Sequence, residues 1–340
     1  LEPLELFILS RTSRSIHVVI QAYIHRAFDI RRLLTPYFSS VSAFRALQAR
    51  TGLLISGSVA VQFFARIAYP ESDLDLYVEH RWYPVVVDFL RADGYVFVPS
   101  ERTSPEESVR AALSLKNACT SWPCFTVLVF VRGKRTIELA VSDVAPLDVI
   151  LQTYHSSCVL NVISHAAAYS LFPRATFMHR EMLVFHHPGT PNERDEIEAL
   201  EKYIRRGWRA VEHTQVGGGN REYTARVRWV GDDLTWRVQL APELSHLTSD
   251  ALAHRRFFVC TSVDGVGRKL RSVALLSSST ASWLAPVASL ARRVFRSSMP
   301  LLLVSRLRNV AVFWFNAYLQ WRSTRIREMQ RDSTKYSPRD

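Results

Sequence analysis

Two aspartates separated by one residue, Asp73 and Asp75, follow the pair Gly57-Ser58 with 14 residues between Ser58 and Asp73. In an extended strand successive side chains point to opposite faces. Leu74, Leu76 and Val78 then share one face, and Asp73, Asp75 and Tyr77 the other. The two carboxylates stand about 6–7 Å apart on one surface. Like charges at that spacing repel unless a cation lies between them, and Mg²⁺ prefers carboxylate oxygen together with substrate phosphate. Gly57 and Ser58 sit where a short apolar run, 53–56, gives way to the helix-length segment Val59 to Ala68. Glycine permits a tight turn and close backbone approach, while helix N-terminal amides and a serine hydroxyl offer donors to an anion. Taken singly, each feature also has a structural explanation: a solvated strand face for the aspartates, an N-cap for the serine. Order and spacing together point to a nucleotide held through metal.

The elements needed to position such a site can be read on either side of it. Residues 5–50 read as helices, one ending before Thr35-Pro36 and another, Val41 to Ala49, leading into the strand Gly52 to Ser56. Downstream, Trp82 to Ala92 reads as a helix and Asp93 to Val98 as a turn plus strand; 99–118 is polar and reads as a loop. Phe125 to Val131 and Arg135 to Val141 flank Arg132-Gly133-Lys134 as a hairpin. In its second strand Ile137, Leu139 and Val141 alternate with Thr136, Glu138 and Ala140, which places Glu138 on the face opposite the apolar one.

The wording of residues 55–78 resembles the nucleotidyltransferase fold of the polymerase-beta type, whose signature is Gly-Ser, a helix, then Asp-x-Asp on the next strand. Ile55-Ser56-Gly57-Ser58 with Pro70 to Val78 looks most like uncharacterised fungal, basidiomycete-like members. A looser likeness runs through 155–163 and 168–173 to Lys202-Tyr203-Ile204-Arg205-Arg206-Gly207-Trp208. The resemblance implies an α/β (α+β) fold: a nucleotidyltransferase-like mixed sheet flanked by helices, here with a C-terminal helical and hairpin region. It also implies a third carboxylate on a neighbouring strand, for which Glu138 is the best candidate and Asp143 the fallback, two Mg²⁺ ions on Asp73, Asp75 and Glu138, an NTP triphosphate at Gly57 and Ser58, and transfer of a nucleoside monophosphate to an acceptor hydroxyl. The fungal members it resembles often carry an amide where Glu138 stands. Two alternatives follow: a noncatalytic scaffold binding nucleotide, RNA or protein, and an F-box-like adaptor, for which Pro3-Leu4-Glu5-Leu6 offers a short match.

Composition bounds the rest. With 340 residues and 48% hydrophobic content the chain can bury a sizeable core. The segments divide as a helical lead-in (1–50), a core (51–187), a helix plus β-hairpin region (188–267) and a basic amphipathic helical tail (268–340). The boundary near 187 rests on His187-Pro188-Gly189-Thr190-Pro191; beyond it Glu193 to Glu212 reads as a charged helix. Gly231-Asp232-Asp233 reads as the turn of a hairpin, with Asp232 and Asp233 as turn residues rather than ligands. Helical character is expected from Pro146 to Tyr169. From 268 onward there are 14 Lys or Arg against three acidic residues, leaving 29 against 28 before it. A basic amphipathic tail suits RNA or another polyanion, or less well a membrane surface, unless its apolar face simply packs on the core. Arg306 and Arg308 interrupt the one run long enough to suggest a membrane span.

Four cysteines make no disulfide framework and point to a reducing intracellular compartment, cytoplasmic or nuclear. Cys119, Cys124, His155 and Cys158 allow a zinc site only at loose spacing. The chain opens on Leu1 rather than Met, which reads as a trimmed start, and no secretory leader is visible.

Overall fold

The computed structural model of the chain describes residues 3–70, 72–99, 104–114, 125–185, 193–211, 221–223, 226–240, 252, 255–263 and 269–277. Four helices open it as expected: α1 (Pro3–Ser10), α2 (Arg14–Ala27), α3 (Ile30–Leu34) and α4 (Val41–Thr51). Their limits follow from capping. Ser13, Asp29 and Ser40 accept backbone N–H groups of the first turns of α2, α3 and α4, and Gly52 closes α4 in the left-handed conformation at φ 69°.

Next come β1 (Leu54–Ser56), α5 (Gly57–Ala65), β2 (Leu74–Glu79), α6 (Tyr83–Ala92), β3 (Val96–Val98), α7 (Pro105–Ser114), β4 (Phe125–Arg132), β5 (Arg135–Ser142), α8 (Pro146–Thr153), β6 (Asn161–Ile163) and β7 (Ala167–Ser170). The chain continues through β8 (Glu181–Leu183), α9 (Glu193–Arg205), β9 (Arg209–Val211), β10 (Arg226–Trp229), β11 (Trp236–Gln239), β12 (Arg256–Val263) and β13 (Lys269–Ser277). The main sheet has eight strands in the order β11-β7-β6-β1-β2-β5-β4-β3. Every neighbouring pair in it is antiparallel except β2 and β5, which run parallel. The fold is therefore a mixed sheet flanked by helices.

Strand alternation divides the core in two. Leu74, Leu76 and Val78 of β2, with Ile137, Leu139, Leu128 and Phe130, pack against Phe44, Val59, Phe63, Val86 and Leu90 of α4, α5 and α6. Each such side chain contributes about 1.5–3 kcal/mol by leaving water. On the other face Leu54, Tyr77 and Ala140 pack under Leu147, Ile150 and Leu151 of α8. Helix α5 carries apolar residues all round and is buried from Gly57 to Phe64, as a helix of that composition must be.

Several expectations are corrected. Helical structure after Pro146 stops at Thr153; 161–163 and 167–170 are the central strands β6 and β7, buried at every position. Both faces of these strands are covered, Asn161 and Ser170 included, so they show no alternation of buried and exposed positions. Residues 105–114 form α7 where a loop was expected, started by Pro105 and two acidic first-turn residues. Helix α9 ends at Arg205, and Gly207 at φ 94° turns the chain into β9. The expected hairpin around 231–233 does not close on itself: β10 pairs with β12 and β11 with β7. Asp232 lies in the turn but is buried, gripping the guanidinium of the fully buried Arg228 at 2.9 Å through both oxygens. Within the expected helical tail, 269–277 is the strand β13, paired with β12. The rest of that tail, from 278, lies outside the described residues, as do Cys119, Cys124, 186–192 and Gly217 to Asn220. Among the described residues no helix is long and apolar enough to cross a membrane.

Candidate functional site

The parallel pairing of β2 with β5 sets Asp75 directly beside Glu138. Antiparallel pairing with β1 sets Ser56 on the other side of Asp75, so Ser56, Asp75 and Glu138 form one row across three strands. Neighbouring strands are about 4.8 Å apart, which brings the two carboxylates onto one face at that spacing. Asp73 precedes β2 on the same side and adds its charge to both. Asp143 stands five residues beyond Glu138, about 16 Å up the strand, and is out of reach of this group.

Gly57 explains how Asp75 reaches its position. Its backbone is left-handed at φ 63°, and a Cβ there would lie 1.9 Å from Asp75 Oδ2 and 2.6 Å from its Cγ. The carboxylate thus occupies the space a side chain would fill, at the start of α5, where the Ser58 backbone N–H donates to it. That is a different use of the helix N-terminus from the one expected: this amide serves the aspartate, and the Ser58 side chain is buried.

The loop that carries Asp73 is pinned from three elements. The Tyr37 hydroxyl donates to the Ser72 carbonyl at 2.8 Å, Gln62 Oε1 of α5 accepts from the Tyr69 backbone N–H at 2.6 Å, and Arg135 Nη1 of β5 donates to the Pro70 carbonyl at 3.2 Å. Beneath the row, Tyr77 donates to the Tyr154 hydroxyl at 2.9 Å, and the Ser56 hydroxyl donates to the Asn161 carbonyl at 2.7 Å.

The electrostatics are those of a crowded anionic site. Burial first, then the charges of Glu138 and Asp73, push the Asp75 carboxyl up to about 7, against the pull of Lys202 and the Ser58 amide. The Glu138 carboxyl is also raised, by burial and then by Asp73, again with Lys202 opposing. Lys202 belongs to α9, and the sequence reading gave it no role beyond a place in the family-like stretch. Its neighbours continue a cationic and aromatic wall. Tyr203 is buried against His155 and Trp208, with ring centroids 5.6 and 5.7 Å away. The Arg206 guanidinium lies 3.7 Å from the Tyr69 ring centroid, and that of Arg180 4.8 Å from Trp208. Arg206 Nη1 is buried with no hydrogen-bond partner among the described residues.

The donor set suits a hard divalent cation in kind, since it is made of carboxylates that burden one another. As placed, among the described residues no group of three or more His, Cys, Asp or Glu side chains is set to hold one metal ion. What the backbone does bring together is pairs, Asp75 with Glu138 by register and Asp73 with Asp75 by spacing. The zinc idea is not supported at Cys158: this buried thiol contacts Met182 Sδ at 3.7 Å and burial pushes it up to about 12, away from a thiolate. Comparison with protein-family models, with curated proteins and with solved structures finds no match for the chain.

Proposed function

We propose that the chain is a Mg²⁺-dependent nucleotidyltransferase that moves a nucleoside monophosphate from an NTP to an acceptor hydroxyl and releases pyrophosphate. The observation that carries this reading is the placement of Glu138 beside Asp75 across parallel strands, directly above a glycine that leaves room for the aspartate. The resemblance of residues 55–78 to the polymerase-beta-type signature supports it independently.

Asp73, Asp75 and Glu138 are the residues that would hold the metal, which when bound supplies neutralisation of triphosphate charge and polarisation at the reacting phosphorus. The chain's own residues do the rest. Gly57 admits the Asp75 carboxylate to the head of α5. Lys202 sets its charge against the carboxylates and offers it to the phosphates. Glu138, its carboxyl raised, orients the acceptor hydroxyl and accepts its proton at a carboxylate oxygen. Tyr37, Gln62 and Arg135 hold the Asp73 loop in place.

The scaffold reading has one observation in its favour, the lack of a ready three-ligand group among the described residues. Isothermal titration of ATP, GTP, CTP and UTP with Mg²⁺ separates the two. Binding that disappears in the Asp73→Ala, Asp75→Ala variant is the expected result; no binding of any triphosphate to the folded wild type overturns the enzyme. Glu138→Gln should retain nucleotide binding and lose transfer by a factor of about 100 or more, the scale of a positioned proton acceptor; a scaffold shows no transfer in either form.

A further inference from the structure

The row that carries Asp75 and Glu138 does not stop at β5. Glu138 pairs with Val129 of β4, and Val129 with Val98 of β3. The same face of these last two strands presents Phe125, Val127, Val129 and Val131, then Val96 and Val98. Val96 is 65% exposed, Val98 and Val127 44%, and Phe125 37%. The opposite face, with Leu128 and Phe130, is the buried one. An uncharged, solvent-facing apolar surface therefore begins at Glu138 and extends about 10 Å to the sheet edge. The hairpin arginines do not serve it: Arg132 is held by Asp93 and the Tyr37 carbonyl, and Arg135 by the Pro70 carbonyl.

Charge is distributed oppositely on the two flanks of the carboxylates. Lys202 of α9 opposes the charge of Asp75 and Glu138, its neighbour Tyr203 packs on His155, which precedes β6, and Arg206 stacks on Tyr69 while Arg180 stacks on Trp208. In phosphoryl transfer the attacking and leaving oxygens stand roughly in line across the phosphorus. The leaving pyrophosphate belongs with the cations, so the attacking hydroxyl comes from the other flank, over β5, β4 and β3. Resting on the nucleotidyltransferase reading, we infer that the acceptor is a hydroxyl carried on an apolar body, of the long-chain alcohol class, seated on the valine face of β4 and β3. Among the described residues, the strand positions of this face, 96 and 98 of β3 and 125, 127, 129 and 131 of β4, offer a polyanionic acceptor no cation. The transfer joins the acceptor oxygen to the α-phosphorus and breaks the bond from that phosphorus to the bridging oxygen of the β-phosphate. The hydroxyl proton goes to Glu138 and pyrophosphate departs.

The test uses the full chain and the neutral fluorophore N-phenyl-1-naphthylamine, with dodecanol as competitor. The variant Val98→Thr, Val127→Thr, Val129→Thr keeps β-branched shape on an open face, so the strands persist; circular dichroism and a melt check this. The expected result is saturable probe binding that dodecanol displaces and an RNA oligonucleotide does not, about tenfold or more weaker in the triple variant, with Mg²⁺-dependent ATP binding unchanged. Equal probe affinity in both proteins, displacement by RNA, or a wild-type dimer in sedimentation that dissociates in the variant each overturns the inference, the last by assigning the face to a second copy. Failure of the two readings is distinguishable. Wild type that binds ATP but not the probe loses only the acceptor assignment, whereas wild type that binds the probe but no nucleotide loses the nucleotidyltransferase reading, and the acceptor assignment falls with it.

Discussion

Replacing Gly57 by alanine attacks the site through one atom. Two costs are superimposed. The left-handed backbone at φ 63° penalises any Cβ by about 1–2 kcal/mol. The new Cβ at 1.9 Å from Asp75 Oδ2 also forces the carboxylate aside, an overpacking cost of about 1–3 kcal/mol. Together they predict a loss of about 2–5 kcal/mol, or roughly 5–15 °C in Tm for a domain of this size. Gly52→Ala is the matched control, because its φ is 69° and nothing lies within 4 Å of the added Cβ. It should lose only the backbone share. The assay is a pair of thermal melts with a Mg²⁺-ATP titration on each variant: Gly57→Ala should melt lower and lose binding, Gly52→Ala should keep it. Adding Asp75→Ala to Gly57→Ala removes the clashing oxygen and carbon and should recover the overpacking share, a coupling that independent sites do not show. If Gly57→Ala melts within about 2 °C of Gly52→Ala and binds nucleotide like wild type, the close approach of Asp75 to the head of α5 plays no part in the site.

Other outcomes follow from the same geometry. Since the Asp75 carboxyl is raised from 3.8 to about 7 in the folded protein, the folded state holds more protons than the unfolded one between those values. Its contribution to stability is therefore full below about pH 4 and is lost as pH rises through 7; urea midpoints without Mg²⁺ should fall across that window, and Asp75→Asn should flatten the fall. Lys202→Met removes a cation that lowers both Asp75 and Glu138, so carbon-detected NMR titration should place the Asp75 midpoint above 7; an unmoved midpoint would separate α9 from the site. Asp232→Ala strips the fully buried Arg228 of its bidentate partner and should cost about 3–5 kcal/mol in chemical denaturation. A loss under 1 kcal/mol would mean that the Leu171 carbonyl, the Thr235 hydroxyl and the rings of Phe172 and Phe257 suffice to hold the guanidinium.

The parts of this fold that alternate or carry turn chemistry were legible in the sequence. Leu74, Leu76 and Val78 announce β2 and its buried face, and the hairpin around Gly133 delivers Glu138 to the correct face because strand period is two. Its pairing with β2 was not legible, since β5 meets β2 by a parallel contact 63 positions away, between Asp75 and Glu138. The segment 155–170 misled because its polar residues are buried along with its apolar ones, so neither of its short strands carries an alternation by which to tell strand from helix. The turn at 231–233 was visible, but β10 and β11 leave it for different sheets, a choice made by distant partners. Lys202 sits among acidic and basic residues of an amphipathic helix, and nothing local distinguishes it from Arg205, which pairs with Glu201 on the surface.

Asp75 also bears on why the site reads as functional rather than structural. A sheet selected only for stability gains nothing by placing a glutamate beside a half-buried aspartate, since each raises the other's cost of ionisation. Nor does it gain from a left-handed glycine where the chain enters a helix buried from Gly57 to Phe64. Both penalties fall on one square of backbone bounded by Ser56, Gly57, Asp75 and Glu138, and the elements around it are otherwise locally consistent: capped helices, buried alternating strands, a satisfied Arg228–Asp232 pair. The penalties are relieved together by one kind of event, the arrival of positive charge between the carboxylates. Lys202 relieves them in part, which is why its effect on both groups has the same sign. Under the proposed function, a divalent cation arriving with a triphosphate would relieve them more fully, and the strain that costs the free protein stability near pH 7 would be recovered as affinity for that ligand.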